Sequence, residues 1–72
     1  DKISEDIDRL VKKGENNINL NIHPFIAAYL EKGYPSVRLN WYFKHKKWVK
    51  IIPRDAYKYL EYRFLDENGK TI

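Results

Sequence analysis

The chain has 72 residues, with Lys and Arg numbering 14 against 10 Asp and Glu, two His and no Cys. That length allows one small domain, which buries only ~60% of the surface its unfolded chain exposes, and the missing cysteine excludes a disulfide framework and a thiolate metal site. No apolar run approaches the ~20 residues that span a bilayer, and a net charge of +4 with a pI near 9.4 points to an anionic partner or a solvated basic face.

Ile3, Ile7, Leu10 and Val11 fall at helical spacing, which predicts an amphipathic helix over residues 2–13. Acids early and lysines late suit its dipole, and Gly14 is a natural stop. Glu5, Asp6 and Asp8 read as its solvated face. After a polar connector, Ile18, Leu20 and Ile22 alternate with Asn19 and Asn21, the period-two pattern of a strand with one buried face. Pro24 cannot donate to a ladder but suits a first helical turn. A short helix is therefore expected over 24–32, with Phe25, Ile26, Tyr29 and Leu30 inward and Gly33 as its cap. His23 stands without a second His or a carboxylate at ligand spacing, and reads as a residue that caps or packs at the strand-to-helix junction.

Tyr34-Pro35-Ser36 is a turn signal, with Ser36 able to cap a helix begun at Val37. Val37, Leu39, Trp41 and Phe43 alternate as in a strand, while Val37 with Trp41 and Asn40 with Lys44 pair at helical spacing. The Pro-Ser start favours a helix from 37 to about 44, breaking near Lys46. Trp48 to Ile52 predicts a strand closed by Pro53, followed by a turn at 54–57 with Asp55 as cap. Leu60, Tyr62 and Phe64 alternate with Glu61 and Arg63, giving a strand over 59–65. Asn68-Gly69 marks a tight turn, and Lys70 to Ile72 a short return strand. The expected fold is α+β: helix, strand, helix, helix, strand, strand, with helices packed on a three-stranded, mostly antiparallel sheet.

Between Glu31 and Asp55 there is no acidic residue. Lys32, Arg38, Lys44, Lys46, Lys47, Lys50 and Arg54 lie in that gap among Tyr34, Trp41, Tyr42, Phe43 and Trp48, and outside it acids outnumber bases. Lysine and arginine neutralise phosphates and release counterions, and exposed rings stack on unpaired bases at ~1–3 kcal/mol each. Arg38, Lys44, Lys46, Lys47, Trp48, Lys50 and Arg54 are therefore the candidate RNA-binding residues. Trp41 and Phe43 are expected in the core, which in so small a domain needs large rings; Tyr42 and Trp48 are open. His45, inside the lysine run, is expected on the exposed basic face. Aromatics mixed with arginine also mark protein interfaces, so self-association competes with RNA as the use of this stretch. No Gly-rich phosphate loop, nucleophile triad or metal-ligand spacing occurs, and no catalytic or metal residue is assigned.

The runs N-I-N-L-N-I-H-P-F-I-A-A-Y-L (17–30), K-W-V-K-I-I-P (47–53) and Y-L-E-Y-R-F-L-D-E-N-G-K-T-I (59–72) resemble the C-terminal small domain of the ribonuclease E/G family. The strand-His-Pro-helix junction at Ile22 to Ala28 and the strand closed by Pro53 carry most of the resemblance, while residues 41–50 are more aromatic and more lysine-rich than in the better-known members. The resemblance implies a piece of a longer cytoplasmic endoribonuclease that cuts single-stranded RNA in RNA processing or decay. Residues 1–14 would be a connecting helix and 17–72 the small-domain core. In that family Mg²⁺ held by acidic residues serves the cutting, and a Cys-Pro-X-Cys zinc link helps dimerisation. Neither motif occurs in this chain, so the resemblance places both ions upstream and carries no catalytic residue here. It implies homo-oligomer contacts as the chief role of the small domain, with RNA as the partner of the whole. The alternative is a stand-alone RNA-binding or protein-interaction module, with no membrane role in either case.

Overall fold

The computed structural model describes residues 1–72. Helix α1 (Lys2–Lys12) starts where the Asp1 carboxylate accepts the Ser4 N–H at 2.8 Å, and Arg9 and Lys12 occupy its last turn. Gly14, at φ +103°, carries the chain out of it in a conformation that disfavours side chains. Strand β1 (Asn19–Ile22) runs directly into α2 (Pro24–Glu31). His23 is the junction: its Nδ1 accepts the Phe25 N–H at 3.0 Å, and Pro24 takes the first helical position. Residues 37–45 form a helix, α3 (Val37–His45), because Ser36 Oγ accepts the Leu39 N–H at 3.0 Å and so fixes the first turn. It stops at Lys46, which sits at φ +58° and donates its N–H to Tyr42 O at 2.7 Å. Strands β2 (Lys50–Pro53) and β3 (Tyr62–Leu65) complete the chain.

The strand order is β2-β1-β3, with β1 parallel to β2 and antiparallel to β3. The α+β class stands, but the sheet is mixed rather than mostly antiparallel. Residues 23–49 carry two helices, a connection long enough to cross over and return β2 in the direction of β1. A backbone bond from Ile72 N to Phe64 O at 3.0 Å and a bridge from Leu65 to Thr71 form the expected short return beside β3.

Register decides which side chains meet the helices. Leu20 lies between Ile51 and Phe64, and Ile22 between Pro53 and Tyr62. Leu20, Ile22, Ile51 and Phe64 join Ile18 and Val49 in one core with Ile7 and Leu10 of α1, Ala27 and Leu30 of α2, and Trp41 of α3. Full burial of each Leu or Ile contributes ~1.5–3 kcal/mol. Trp41 Nε1 also donates to Ser4 Oγ at 2.9 Å, which ties α3 to α1.

Several rings fall elsewhere than their spacing suggests. Phe25 and Tyr29 are exposed, because α2 turns Ile26, Ala27 and Leu30 inward and the first two lie on the opposite stripe. Phe43 is exposed as well; two residues past Trp41 it points about 200° around the helix. Strand β3 begins at Tyr62 rather than at Tyr59, and Leu60 is 91% exposed. Its partner strand has ended: Ile22 pairs with Tyr62, and Pro24 already belongs to α2. Residues 58–61 close on themselves instead, with Glu61 N donating to Lys58 O at 3.1 Å. The turn after β2 forms through Tyr57 N and Arg54 O at 3.1 Å, with no helix behind it for Asp55 to cap. No helix is long and apolar enough to cross a membrane.

Candidate nucleic-acid interface

The basic stretch is acid-free in sequence but not in space. Arg38 is the most engaged of its cations. Its Nε donates to Val49 O at 2.9 Å, its Nη1 pairs with Glu31 Oε2 at 2.8 Å, and its guanidinium lies 4.2 Å over the Trp48 ring. It thereby occupies a carbonyl at the start of β2, an edge strand that Pro53 also shortens as a donor. Lys44 Nζ meets Asp8 Oδ2 at 3.1 Å and His45 Nε2 meets Asp8 Oδ1 at 2.8 Å. The Lys44 hydrogen bond, opposed by desolvation and aided by the Lys44 charge and the His45 contact, holds the Asp8 carboxyl below its ordinary range. His45 is thus tucked against α1 and is not a member of the exposed face. Lys47 Nζ donates to Asn16 Oδ1 at 2.7 Å and to Glu15 O at 3.2 Å.

Asp6 departs from the expected solvated acidic face of α1. It is 8% exposed and accepts the Tyr62 hydroxyl at 2.8 Å, with Lys2 and Arg9 at 3.4 and 3.8 Å. Burial pushes its carboxyl up, but the Tyr62 hydrogen bond and the two cations outweigh that and leave it below the usual value. The same burial and the same bond push the Tyr62 hydroxyl up to about 12.

Three candidates remain exposed with no ion pair: Lys46 at the left-handed turn, and Lys50 and Arg54 on and just after β2. Trp48, two residues before Lys50, is 49% exposed, with Tyr42 edge-on at 5.7 Å. Lys50 and Ile52 lie on the face of the sheet away from the helices. Across β1 they sit level with Asn19 and Asn21, and across β3 with Leu65 and Arg63. Ile52 and Leu65 take no part in the core cluster, which identifies this face as helix-free. Arg54 continues its alternation, its N–H on Ile22 O at 2.8 Å. Arg63, also exposed and unpaired, is the member that a search for local basic runs misses; the alternation of Glu61, Arg63 and Leu65 with Tyr62 and Phe64 is the signal that places it.

At one end of the sheet the apolar surface concentrates. Tyr59 stacks 4.5 Å from His23 and 5.9 Å from Phe25. A cavity of about 240 Å³ opens beside it, lined by Ile3, Ile22, Ile26, Tyr59, Leu60 and Tyr62. No cluster of three or more His, Asp or Glu comes together at metal-ligand spacing.

No family model matches the chain, and neither a curated protein nor a solved structure matches it.

Proposed function

We propose that the chain is a non-catalytic, cytoplasmic RNA-binding domain, of the kind found at the C-terminus of ribonuclease E/G-like endoribonucleases, that grips single-stranded RNA through Lys46, Trp48, Lys50 and Arg54. One observation carries the reading. When the internal pairs of Arg38, Lys44 and Lys47 are set aside, Lys46, Lys50 and Arg54 remain exposed and unpaired, and Lys46 and Lys50 each lie two residues from the half-exposed Trp48. Unpaired cations supply salt-dependent phosphate affinity, and the ring offers a stacking surface. Titration of the chain with a short oligouridylate at several salt concentrations tests this. Binding should weaken steeply with salt and collapse in a Lys50→Glu, Arg54→Glu variant. Absence of binding at low salt refutes the proposal.

A second reading, subunit contact, is supported by the apolar cavity beside Tyr59 and Leu60. Eight large apolar side chains are exposed, and Leu60 is the most exposed of them; such patches mark protein interfaces. A molar mass above that of the monomer, restored to the monomer value by Leu60→Glu, would favour assembly.

A further inference from the structure

We infer that the helix-free face of the sheet is the RNA platform itself, with Arg63 on β3 and Asn21 on β1 contacting the ligand alongside Lys50 and Arg54. The inference rests on the RNA-binding reading and narrows it to one surface. The register sets out two rows: Lys50, Asn19 and Leu65, then Ile52, Asn21 and Arg63. With strands ~4.8 Å apart, the cations of β2 and of β3 flank the central strand from backbones about two spacings apart. None of Lys50, Arg54 and Arg63 has an acid in pairing distance, unlike Arg38 and Lys44. Glu61, the acid on the same alternation as Arg63, turns to its own loop and accepts the Lys58 N–H at 3.2 Å. A three-cation surface without a neutralising carboxylate is complementary to a polyphosphate strand.

Asn21 supplies an independent observation. It is 3% exposed at the centre of this face, and its Oδ1 has no hydrogen-bond partner. Buried side-chain acceptors are nearly always paired, and an unpaired one is costly. A β-branched apolar residue would suit the same strand position without that cost. An unused acceptor level with Arg63 and one row from Lys50 fits a ligand that brings both anions and hydrogen-bond donors. RNA does so: phosphates for the cations, and 2′-hydroxyl or base N–H groups for the amide. The terminal amide torsion of Asn is soft, so a turn of the group presents its oxygen to a bound strand.

The test uses the full chain and fluorescein-labelled short oligouridylate. Arg63→Glu should weaken binding about tenfold at low salt, and Lys12→Glu, with the same charge change on the helix side, by no more than about threefold. Asn21→Val should bind several-fold more weakly while melting at or above the wild-type temperature, a combination that a purely structural role for Asn21 does not produce. Arg63→Gln, checked for folding by circular dichroism, repeats the first arm should the charge reversal unfold the chain. If the wild type binds RNA and the Arg63 variants bind like Lys12→Glu, the platform is overturned while the RNA reading survives. If Asn21→Val binds as the wild type, the role of Asn21 is overturned. If the wild type itself does not bind, the RNA reading fails and takes the platform with it.

Discussion

Arg38→Ala should separate folding from binding. In the native chain this one side chain donates to Val49 O, pairs with Glu31 and covers the Trp48 ring. A charge-assisted hydrogen bond contributes about 1.5–3 kcal/mol, a half-exposed ion pair about 0.2–1 kcal/mol, and an exposed cation–π contact about 0.5–1 kcal/mol. The three share a side chain and do not add fully, so a loss of about 2–3 kcal/mol is expected. In a domain of this size each kcal/mol moves the melting temperature by about 4–8 °C, which puts Arg38→Ala roughly 10–20 °C below the wild type. Arg38→Lys should recover little of this, because an ammonium cannot reach two acceptors in a fixed fork while stacking on a ring. Lys50→Ala, exposed and unpaired, should stay within about 0.5 kcal/mol. The assay is a thermal melt by far-UV circular dichroism, paired with oligouridylate titration well below the variant's melting temperature. Folded Arg38→Ala should keep RNA affinity within about threefold, while Lys50→Glu, Arg54→Glu loses it. Wild-type melting for Arg38→Ala would show that its three contacts do not hold the fold. A loss of RNA affinity in its folded state equal to that of the β2 variant would put Arg38 itself in the binding surface.

Trp41→Phe deletes the bond to Ser4 and thins the core between α1 and α3, and should cost about 1–3 kcal/mol in urea unfolding. Acid should weaken the fold through Asp6 and Asp8. Their folded-state carboxyls lie below the unfolded value, so their contribution is present above about pH 4 and is lost as pH falls through the lower native values. Asp6→Asn should flatten that acid limb in urea midpoints measured against pH. At the alkaline end the sign reverses: the Tyr62 contribution is intact below about pH 10 and is lost as pH rises through about 12. Ultraviolet titration should show one late-ionising tyrosine that vanishes in Tyr62→Phe.

The features that local chemistry controls are legible in the sequence. The helix stop at Gly14, the His23-Pro24 junction and the Ser36 cap each act within a few residues, and the elements come in the expected order. What depends on distant partners is not. Alternation along β1 and β2 marks both as strands but carries no information on direction, so the parallel pairing emerges only with the crossover through α2 and α3. Helical spacing in an eight-residue α2 leaves two candidate stripes, and the one holding Phe25 and Tyr29 turns out to face away from the core. The site divides the same way. A gap without acids between Glu31 and Asp55 is a fact of the linear chain, yet Asp8 and Glu31 fold back onto Lys44, His45 and Arg38 and remove them from the free surface. Arg63 joins that surface from outside the gap because register, and not sequence proximity, sets it level with Asn21 and Ile52.

An amide chemical-shift map of the isotopically labelled chain, recorded during titration with oligouridylate at low salt, would locate the RNA site residue by residue. A sheet-face site requires salt-sensitive shifts concentrated on Lys50, Ile52, Arg54, Asn19, Asn21 and Arg63, with α1 and α2 unchanged. An unaltered spectrum, or shifts gathered around Phe25, Tyr59 and Leu60 instead, would rule that site out.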